Sequence, residues 1–325
     1  MSIEKFRNMA QILNLKIKKN IPLAPLTTFK IGGPAKFFIE VKTKGELKDA
    51  VIFAEKNKEK IYIIGGGSNL LVNDAGVNGL VIKFADKSVK IAKSSLSAGA
   101  GAKLADALKA AAEKELTGLE WTAGIPRATI GGAIRGNAGA FGTSMGKYVS
   151  EAEVYDLKKN KFIKLSRAEC RFKYRESIFK EKDNYLIWEA SLALKKDDPE
   201  KIKNQIMENI KLRKNTPAMP SAGSVFKNLT LVEIKKANPK LAEKLIQTEV
   251  VKRGIVGAGL IIDKILDLKG KTIGNAKISE EHGNFIVNAG DATAEDVITL
   301  ISFIKQQCRG KLGLELREEI QYLGF

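Results

Sequence analysis

Three consecutive glycines, Gly65-Gly66-Gly67, close the short apolar run Ile61 to Ile64 and lead into Ser68-Asn69-Leu70-Leu71-Val72. Without Cβ atoms at a strand end, backbone N–H groups can approach an anion closely, and Ser68 and Asn69 add hydrogen-bonding side chains. A diphosphate suits that geometry, whereas a tight turn alone needs only one or two glycines. A Rossmann turn would start a helix at once, with glycines spaced G-x-G-x-x-G. Here Leu70 holds the last glycine position and Asn73-Asp74-Ala75-Gly76 soon breaks the chain, so the ordinary dinucleotide fold is disfavoured. Gly270-Lys271-Thr272 imitates the end of a P-loop, but Ile265 stands where its first glycine is required.

Around this turn the pattern is α+β. Phe37 to Val41 reads as a strand, and Thr43-x-x-Glu46 predicts a capping box for a helix that turns Leu47, Ala50, Val51 and Ala54 inward. An alanine-rich amphipathic helix is predicted from Ala102 to Glu115. The glycine-rich stretch Gly124 to Gly142 reads as too irregular for a core element. Strands follow at Glu151 to Leu157, Lys161 to Leu165 and Tyr185 to Leu194. Asp198-Pro199 caps a helix running to about Lys214, where Thr216-Pro217 stops it and a domain boundary is placed. Beyond lie helices after Asn238-Pro239, around Leu260 to Leu268 and after Thr293-x-x-Asp296, with strands at Phe285 to Asn288 and Leu314 to Leu323.

The chain's 325 residues suit two or three domains. Its formal charge of +18 invites a nucleic-acid reading, because Lys and Arg neutralise phosphates. The lysines, such as Lys16, Lys56, Lys109, Lys158, Lys201 and Lys240, are spread rather than clustered between stacking aromatics, so no nucleic-acid partner is expected. No apolar run is long enough to span a bilayer. At the N-terminus, Glu4, Lys5 and Arg7 alternate with Ile3, Phe6, Ala10 and Leu13 in a helical spacing that excludes a signal-peptide core. With only Cys170 and Cys308, neither a disulfide framework nor a four-thiolate zinc site can form, and a reducing cytoplasm is expected. One histidine, His282, cannot build a three-histidine or HExxH zinc site, so no metal is expected. His282 reads as a satisfied structural residue, with a weak substrate contact as the alternative.

A second run of small residues, Gly131-Gly132-Ala133-Ile134-Arg135-Gly136-Asn137-Ala138-Gly139-Ala140, can seat a ligand against the backbone or pack chain on chain. Taken with GGGSNLLV some sixty residues earlier, it resembles the FAD-binding half of the enolpyruvoylglucosamine reductases. Leu26-Thr27-Thr28-Phe29-Lys30-Ile31-Gly32-Gly33, Tyr174-Arg175-Glu176-Ser177, Pro220-Ser221-Ala222-Gly223-Ser224-Val225-Phe226-Lys227-Asn228 and Leu316-Arg317-Glu318-Glu319-Ile320 are similar to further motifs of that family, in family order. The resemblance implies a two-subdomain FAD-binding fold of the vanillyl-alcohol-oxidase type, at 1–85 and 86–213. A C-terminal α/β domain for a UDP-sugar substrate follows at 214–325. It implies NADPH as hydride source and sets no oligomeric state. The chain resembles the shorter subtype, having no extended tyrosine-containing loop between Trp188 and Pro220. It departs from the family pattern at Arg127, where a glycine is common, at Leu229, where proline is frequent, and at about 230–255, which reads as an inserted charged helix.

The resemblance further implies which residues act. Gly65, Gly66, Gly67, Ser68, Asn69 and Leu70 would hold FAD with Gly131, Gly132, Asn137 and Gly139, and Lys227 and Asn228 would hold the substrate. Reduction of an enolpyruvyl ether puts negative charge on the carbon bearing the carboxylate. Arg175 matches the arginine that holds this carboxylate through a bidentate fork. Ser224 matches the donor of the proton to carbon. It does not sit in a G-x-S-x-G elbow, and read alone it is a cap or turn residue. Glu319 matches the catalytic glutamate that stabilises the intermediate or relays a proton. Glu318 is adjacent, and alternation along a strand allows only one of the two to point into the site. Two other readings stand beside this one: a different FAD oxidase or dehydrogenase on the same fold, and a basic nucleic-acid-binding protein without flavin.

Overall fold

Local sequence signals set most of the helix starts. In the computed structural model, which describes residues 15–325, Thr43 Oγ1 accepts the Glu46 N–H at 3.1 Å while Glu46 Oε2 accepts the Thr43 N–H at 3.2 Å. This is the predicted capping box, and the helix Lys44–Asn57 behind it buries Leu47, Ala50, Val51 and Ala54. Thr293 and Asp296 form a second capping box at Ala294–Leu312, and the Asp198 side chain caps Pro199–Leu212 by accepting the Glu200 N–H. The helical spacing from Ile3 to Leu13 lies outside the described residues.

The described chain divides into two compact units. The first holds residues up to Ile21, Ala35–Gly67 and Val77–Lys214; the second holds Pro22–Pro34, Ser68–Gly76 and Asn215–Phe325. Each has its own apolar core, one built from residues such as Leu47, Ile82, Leu108, Ile134 and Trp188, the other from Phe29, Leu71, Phe226, Ile262 and Ile301.

In the first unit, Pro34–Val41 and Ile61–Ile64 both pair parallel with Val77–Phe84, and Lys18–Pro22 completes a four-stranded sheet. A second, antiparallel sheet runs in the order Lys161–Ser166, Val149–Asp156, Tyr185–Ala193, Ser95–Gly99, Val89–Ala92. The alanine-rich helix is Leu104–Glu113. The glycine-rich stretch differs from expectation. It contains the helix Ile130–Arg135, whose Ile130, Ala133 and Ile134 are buried, and the hairpin Gly139–Ala140 with Thr143–Ser144. The i, i+3, i+4 spacing of those three apolar residues gives it a core face despite the glycines between them.

The second unit is assembled from distant pieces of chain. Leu70–Val72 pairs parallel with Gln321–Leu323, and the Gly33 N–H donates to the Asn73 carbonyl at 2.9 Å. With the Asn69 to Glu319 hydrogen bond, 250 residues apart in the chain, these pairings join residues 22–34 and 68–76 to this unit. A four-stranded antiparallel sheet runs Ser221–Ser224, Phe285–Asn288, Ala276–Ile278, Thr272–Ile273. The segment read as one inserted helix holds two, Leu231–Ala237 and Pro239–Gln247, because Pro239 cannot supply the N–H that would continue the first. Leu260 to Leu268 holds only short turns, Ala258–Leu260 and the π-helical Ile261–Ile265. From Leu314 to Leu323 the chain is a strand only at Gln321–Leu323, with an isolated bridge from Glu318 to Phe226.

One exposed carboxylate holds a helix end across this unit. Asp74 accepts the Ala294 N–H at 2.8 Å and the Glu295 N–H at 3.4 Å, two of the donors that the first turn of Ala294–Leu312 leaves unpaired. Asp74→Ala should lower stability by about 1 kcal/mol, read as a shifted urea midpoint at unchanged slope.

Candidate active site

The strand Ile61–Ile64 delivers the glycine triplet to a turn in the first unit, with Gly67 left-handed at φ +67°. The backbone of Arg127 lies directly against Gly66: a Cβ there would fall inside the Arg127 carbonyl oxygen. A Cβ at Gly65 would come within 2.6 Å of Thr129 Oγ1. Gly65 and Gly66 thus admit the turn Arg127–Thr129. Arg127 itself is left-handed at φ +54°, a conformation that accounts for the glycine common at this position and costs a non-glycine residue about 1–2 kcal/mol.

Thr129 caps the helix Ile130–Arg135, its Oγ1 accepting the Gly132 N–H at 3.4 Å. The small residues that follow divide by role. A Cβ on Gly131 would press within 2.8 Å of Ala100, and one on Gly139 would strike the Thr143 carbonyl across the hairpin, so both serve chain-on-chain packing. At Gly132 a Cβ would meet Thr129 Oγ1 at 3.3 Å, and at Gly136 the Gly132 carbonyl at 3.6 Å, with nothing else within 4 Å. Four residues apart, these two share one face and leave it as bare backbone. Such a face accommodates a flat or phosphate-bearing group, which is what FAD requires of its cradle.

Asn137, expected at the cofactor, has a different occupation. Its buried side chain donates from Nδ2 to the Lys173 carbonyl at 2.7 Å and accepts the Gly146 N–H at 2.8 Å. The amide is committed to joining two turns. One of them, Lys173–Glu176, is closed by hydrogen bonds in both directions at 3.0 and 3.1 Å and holds Arg175 left-handed at φ +57°. Arg175 Nη2 donates to the Gly139 carbonyl at 2.8 Å, and Lys180 Nζ donates to the Arg175 carbonyl at 3.0 Å. Arg175 is half-buried, so turn and side chain are both oriented before any ligand arrives.

In the second unit the remaining candidates come together. Ser68 and Asn69 form the turn before Leu70–Val72; Asn69 Nδ2 donates to the Glu319 carbonyl at 3.1 Å, and its own carbonyl accepts the Gln321 N–H at 2.9 Å. Glu319 N–H donates to the Val225 carbonyl at 2.7 Å, and Lys227 N–H to the Arg317 carbonyl at 2.8 Å. The segment carrying Ser224 is therefore paired with the segment carrying Glu319. A register break between Ser221 and Ser224, with Gly223 at φ +78°, bulges the strand just before the serine. The half-buried Ser224 hydroxyl makes no hydrogen bond among the described residues, as a group kept for a ligand would. Lys227 and Asn228 follow, Asn228 Oδ1 accepting the Ala258 N–H at 3.2 Å. Glu318 is occupied by an ion pair with Lys305 at 2.9 Å, which separates it from Glu319.

Asn284 was not singled out from sequence. It is 3% exposed, accepts the Phe226 N–H at Oδ1 and donates from Nδ2 to the Phe226 carbonyl, both at 2.9 Å, and its carbonyl accepts the Val225 N–H at 2.8 Å. The available signal was a carboxamide set between Gly283 and the strand Phe285–Asn288. His282 Nδ1 accepts the Asn284 N–H at 3.1 Å, its ring packs edge-on to Phe285, and burial pushes its pKa down. Burial pushes the Cys170 thiol up to about 12 and the Cys308 thiol up to about 11, which removes both as thiolate nucleophiles at neutral pH.

Comparison with known proteins finds relatives that cover nearly the whole chain. Residues 214–323 match the C-terminal domain of UDP-N-acetylenolpyruvoylglucosamine reductase, and residues 35–166 match an FAD binding domain. The chain is 36% identical to the UDP-N-acetylenolpyruvoylglucosamine reductase of Solibacter usitatus over 97% of this chain and 99% of that one. It is 37% identical to the enzyme of that name from Caldanaerobacter subterraneus subsp. tengcongensis, with the same coverage. The crystal structure of UDP-N-acetylenolpyruvylglucosamine reductase from Thermus caldophilus superposes with a TM-score of 0.76 at 32% identity, covering 95% of this chain and 99% of that one. The α+β fold with an FAD-binding domain, expected from sequence, is borne out.

Two predictions follow from the geometry. Gly132→Ala places a methyl on the bare face without striking backbone, so FAD affinity should drop about tenfold or more while the melting temperature of the flavin-free protein is kept; Gly66→Val should lower both. Equal loss of stability in the two variants would return Gly132 to a packing role. The second concerns His282, whose folded pKa lies below the unfolded value of about 6.5. Between those two values the unfolded chain binds the proton and the folded chain does not, so stability is full above about pH 6.5 and falls as pH drops toward the folded value. It is the only histidine, so urea midpoints between about pH 7 and 5.5 should decline in the wild type and flatten in His282→Gln.

Proposed function

This chain belongs to the UDP-N-acetylenolpyruvoylglucosamine reductase family, an FAD-dependent oxidoreductase, and on that premise we propose that it reduces the enolpyruvyl ether of UDP-N-acetylglucosamine to UDP-N-acetylmuramate with NADPH, in the cytoplasm, for peptidoglycan precursor synthesis. FAD, when bound, supplies the hydride that it takes from NADPH. The bare face at Gly132 and Gly136, with the turn at Gly65-Gly66-Gly67, would hold it. Ser68, Asn69 and Leu70 continue that loop in sequence.

The chain's own residues then manage charge and protons. Hydride addition to the terminal carbon puts negative charge on the neighbouring carbon and its carboxylate. Arg175, one arm fixed on the Gly139 carbonyl, is suited to receive that carboxylate and to stabilise the charge as it grows. Ser224 donates the proton to carbon, because an enediolate-like carbanion is basic enough to take a hydroxyl proton. Glu319 stabilises the same charge or relays the replacement proton, and Lys227 and Asn228 bind the UDP-sugar. The basic surface attracts anionic small ligands rather than nucleic acid.

The observation that carries this reading is the Ser224 hydroxyl, without a hydrogen bond among the described residues, on a bulged strand paired through Val225 to Glu319. The two half-reactions test it separately. In Ser224→Ala, NADPH should bleach the flavin band at near the wild-type rate, while reoxidation by enolpyruvyl-UDP-N-acetylglucosamine slows about a hundredfold with little change in substrate affinity. Equal slowing of both halves would make Ser224 a positioning residue, and no slowing would leave the proton to water or Glu319.

A further inference from the structure

Ser224 sits where its strand loses regular pairing. The strand Ser221–Ser224 runs beside Phe285–Asn288, but the register breaks between Ser221 and Ser224, and the last matched pair is Ser224 with Phe285. Two residues on, Phe226 is 1% exposed, and among the described residues no strand residue stands opposite it on that edge, because Phe285 opens the neighbouring strand. A buried peptide group in that position needs a donor and an acceptor from elsewhere.

The carboxamide of Asn284 supplies both. It is planar, with a carbonyl oxygen and N–H donors arranged as in a peptide unit. It accepts the Phe226 N–H and donates to the Phe226 carbonyl, both at 2.9 Å. Asn284 is itself held, its N–H donating to His282 Nδ1 at 3.1 Å and its carbonyl accepting the Val225 N–H at 2.8 Å. On the opposite edge of the segment the Glu319 N–H donates to the Val225 carbonyl and the Lys227 N–H to the Arg317 carbonyl. One buried side chain thus replaces the strand neighbour that Phe226 lacks.

We propose that Asn284 is a positioning residue for proton transfer to carbon: by clamping Phe226 it fixes where the bulged backbone presents the Ser224 hydroxyl. The proposal rests on the reading of Ser224 as the proton donor. A misplacement of about 1 Å is enough to slow a positioned transfer severely, so loosening the clamp reaches the rate through Ser224. Flavin reduction by NADPH needs no proton donor to carbon, so the clamp has no part in that half-reaction.

Rapid mixing of FAD-loaded variants tests this. Asn284→Leu keeps the volume and removes both hydrogen bonds to Phe226. NADPH should bleach its flavin within about twofold of the wild-type rate, while reoxidation by enolpyruvyl-UDP-N-acetylglucosamine slows about tenfold or more. Added to Ser224→Ala, the same substitution should slow reoxidation by no more than about twofold further, since it acts through the group already removed. Asn284→Asp supplies the rescue: an ionised carboxylate sets an oxygen against the Phe226 carbonyl, and a protonated one restores the donor, so its deficit relative to wild type should shrink between about pH 8 and pH 6. If Asn284→Leu does not fold, Asn284→Ser, uncharged and too short to span both Phe226 groups, is measured in its place with the same expectation. Wild-type reoxidation in Ser224→Ala would remove the proton-donor reading and this proposal together. With Ser224→Ala slowed, wild-type reoxidation in the folded Asn284 variant, equal slowing of both half-reactions, or full additivity in the double variant overturns the proposal alone.

Discussion

The close approach of the Arg127 carbonyl to Gly66, which leaves no room for a Cβ there, governs how the ligand-facing surface of the first unit is laid out. Because the strand Ile61–Ile64 ends in residues without Cβ atoms, the turn Arg127–Thr129 can close onto it, and Thr129 then caps the helix carrying Gly132 and Gly136. The bare face is therefore the end of a chain of steric permissions rather than an isolated glycine loop. Arg127 tolerates a left-handed backbone within that chain, a local strain of the kind that surrounding packing must hold in place.

The second unit secures its own candidates by another means. Asn284 engages both the N–H and the carbonyl of Phe226, so the backbone immediately after Ser224 and Val225 is fixed by a buried side chain. On its other edge the same segment pairs with Arg317 and Glu319, and Asn69 holds the Glu319 carbonyl. The backbone that carries Ser224 is thereby held on both sides, while its hydroxyl has no hydrogen bond among the described residues. His282 belongs to this support, its Nδ1 occupied by the Asn284 N–H.

Local chemistry was readable from residues close in sequence. The capping boxes at Thr43 and Thr293, the proline-led helices after Asp198 and Asn238, and the absence of a helix directly after Gly67 all depend on side chains within a few positions. The work of Gly66 was not readable in the same way, since its partner Arg127 lies some sixty residues on and a glycine admits an anion or a carbonyl equally well. Asn137 shows the same limit: a carboxamide in a glycine run suits a ligand, but the side-chain partners it meets in the fold, Gly146 and Lys173, lie too far along the chain to be read from its neighbours. Asn284 escaped notice because its value lies in reaching Phe226, 58 positions away in the chain. Ser224 and Glu319 were reached only through resemblance, as no local pattern distinguishes a partnerless serine from a turn serine.

The discontinuity of the second unit has a consequence during synthesis. Leu70–Val72 leaves the ribosome long before its partner strand Gln321–Leu323 exists, and Asp74 precedes by some two hundred residues the helix end it holds. At about 5–20 residues per second that interval is on the order of 10–50 s, ample time for the first unit's sheets to close on themselves. An apolar strand must wait unpaired through that period, which makes it a natural stretch for a chaperone to shield. The strand Gln321–Leu323 ends the wait, so premature termination near residue 320 would release a chain whose Leu70–Val72 has no partner strand to pair with.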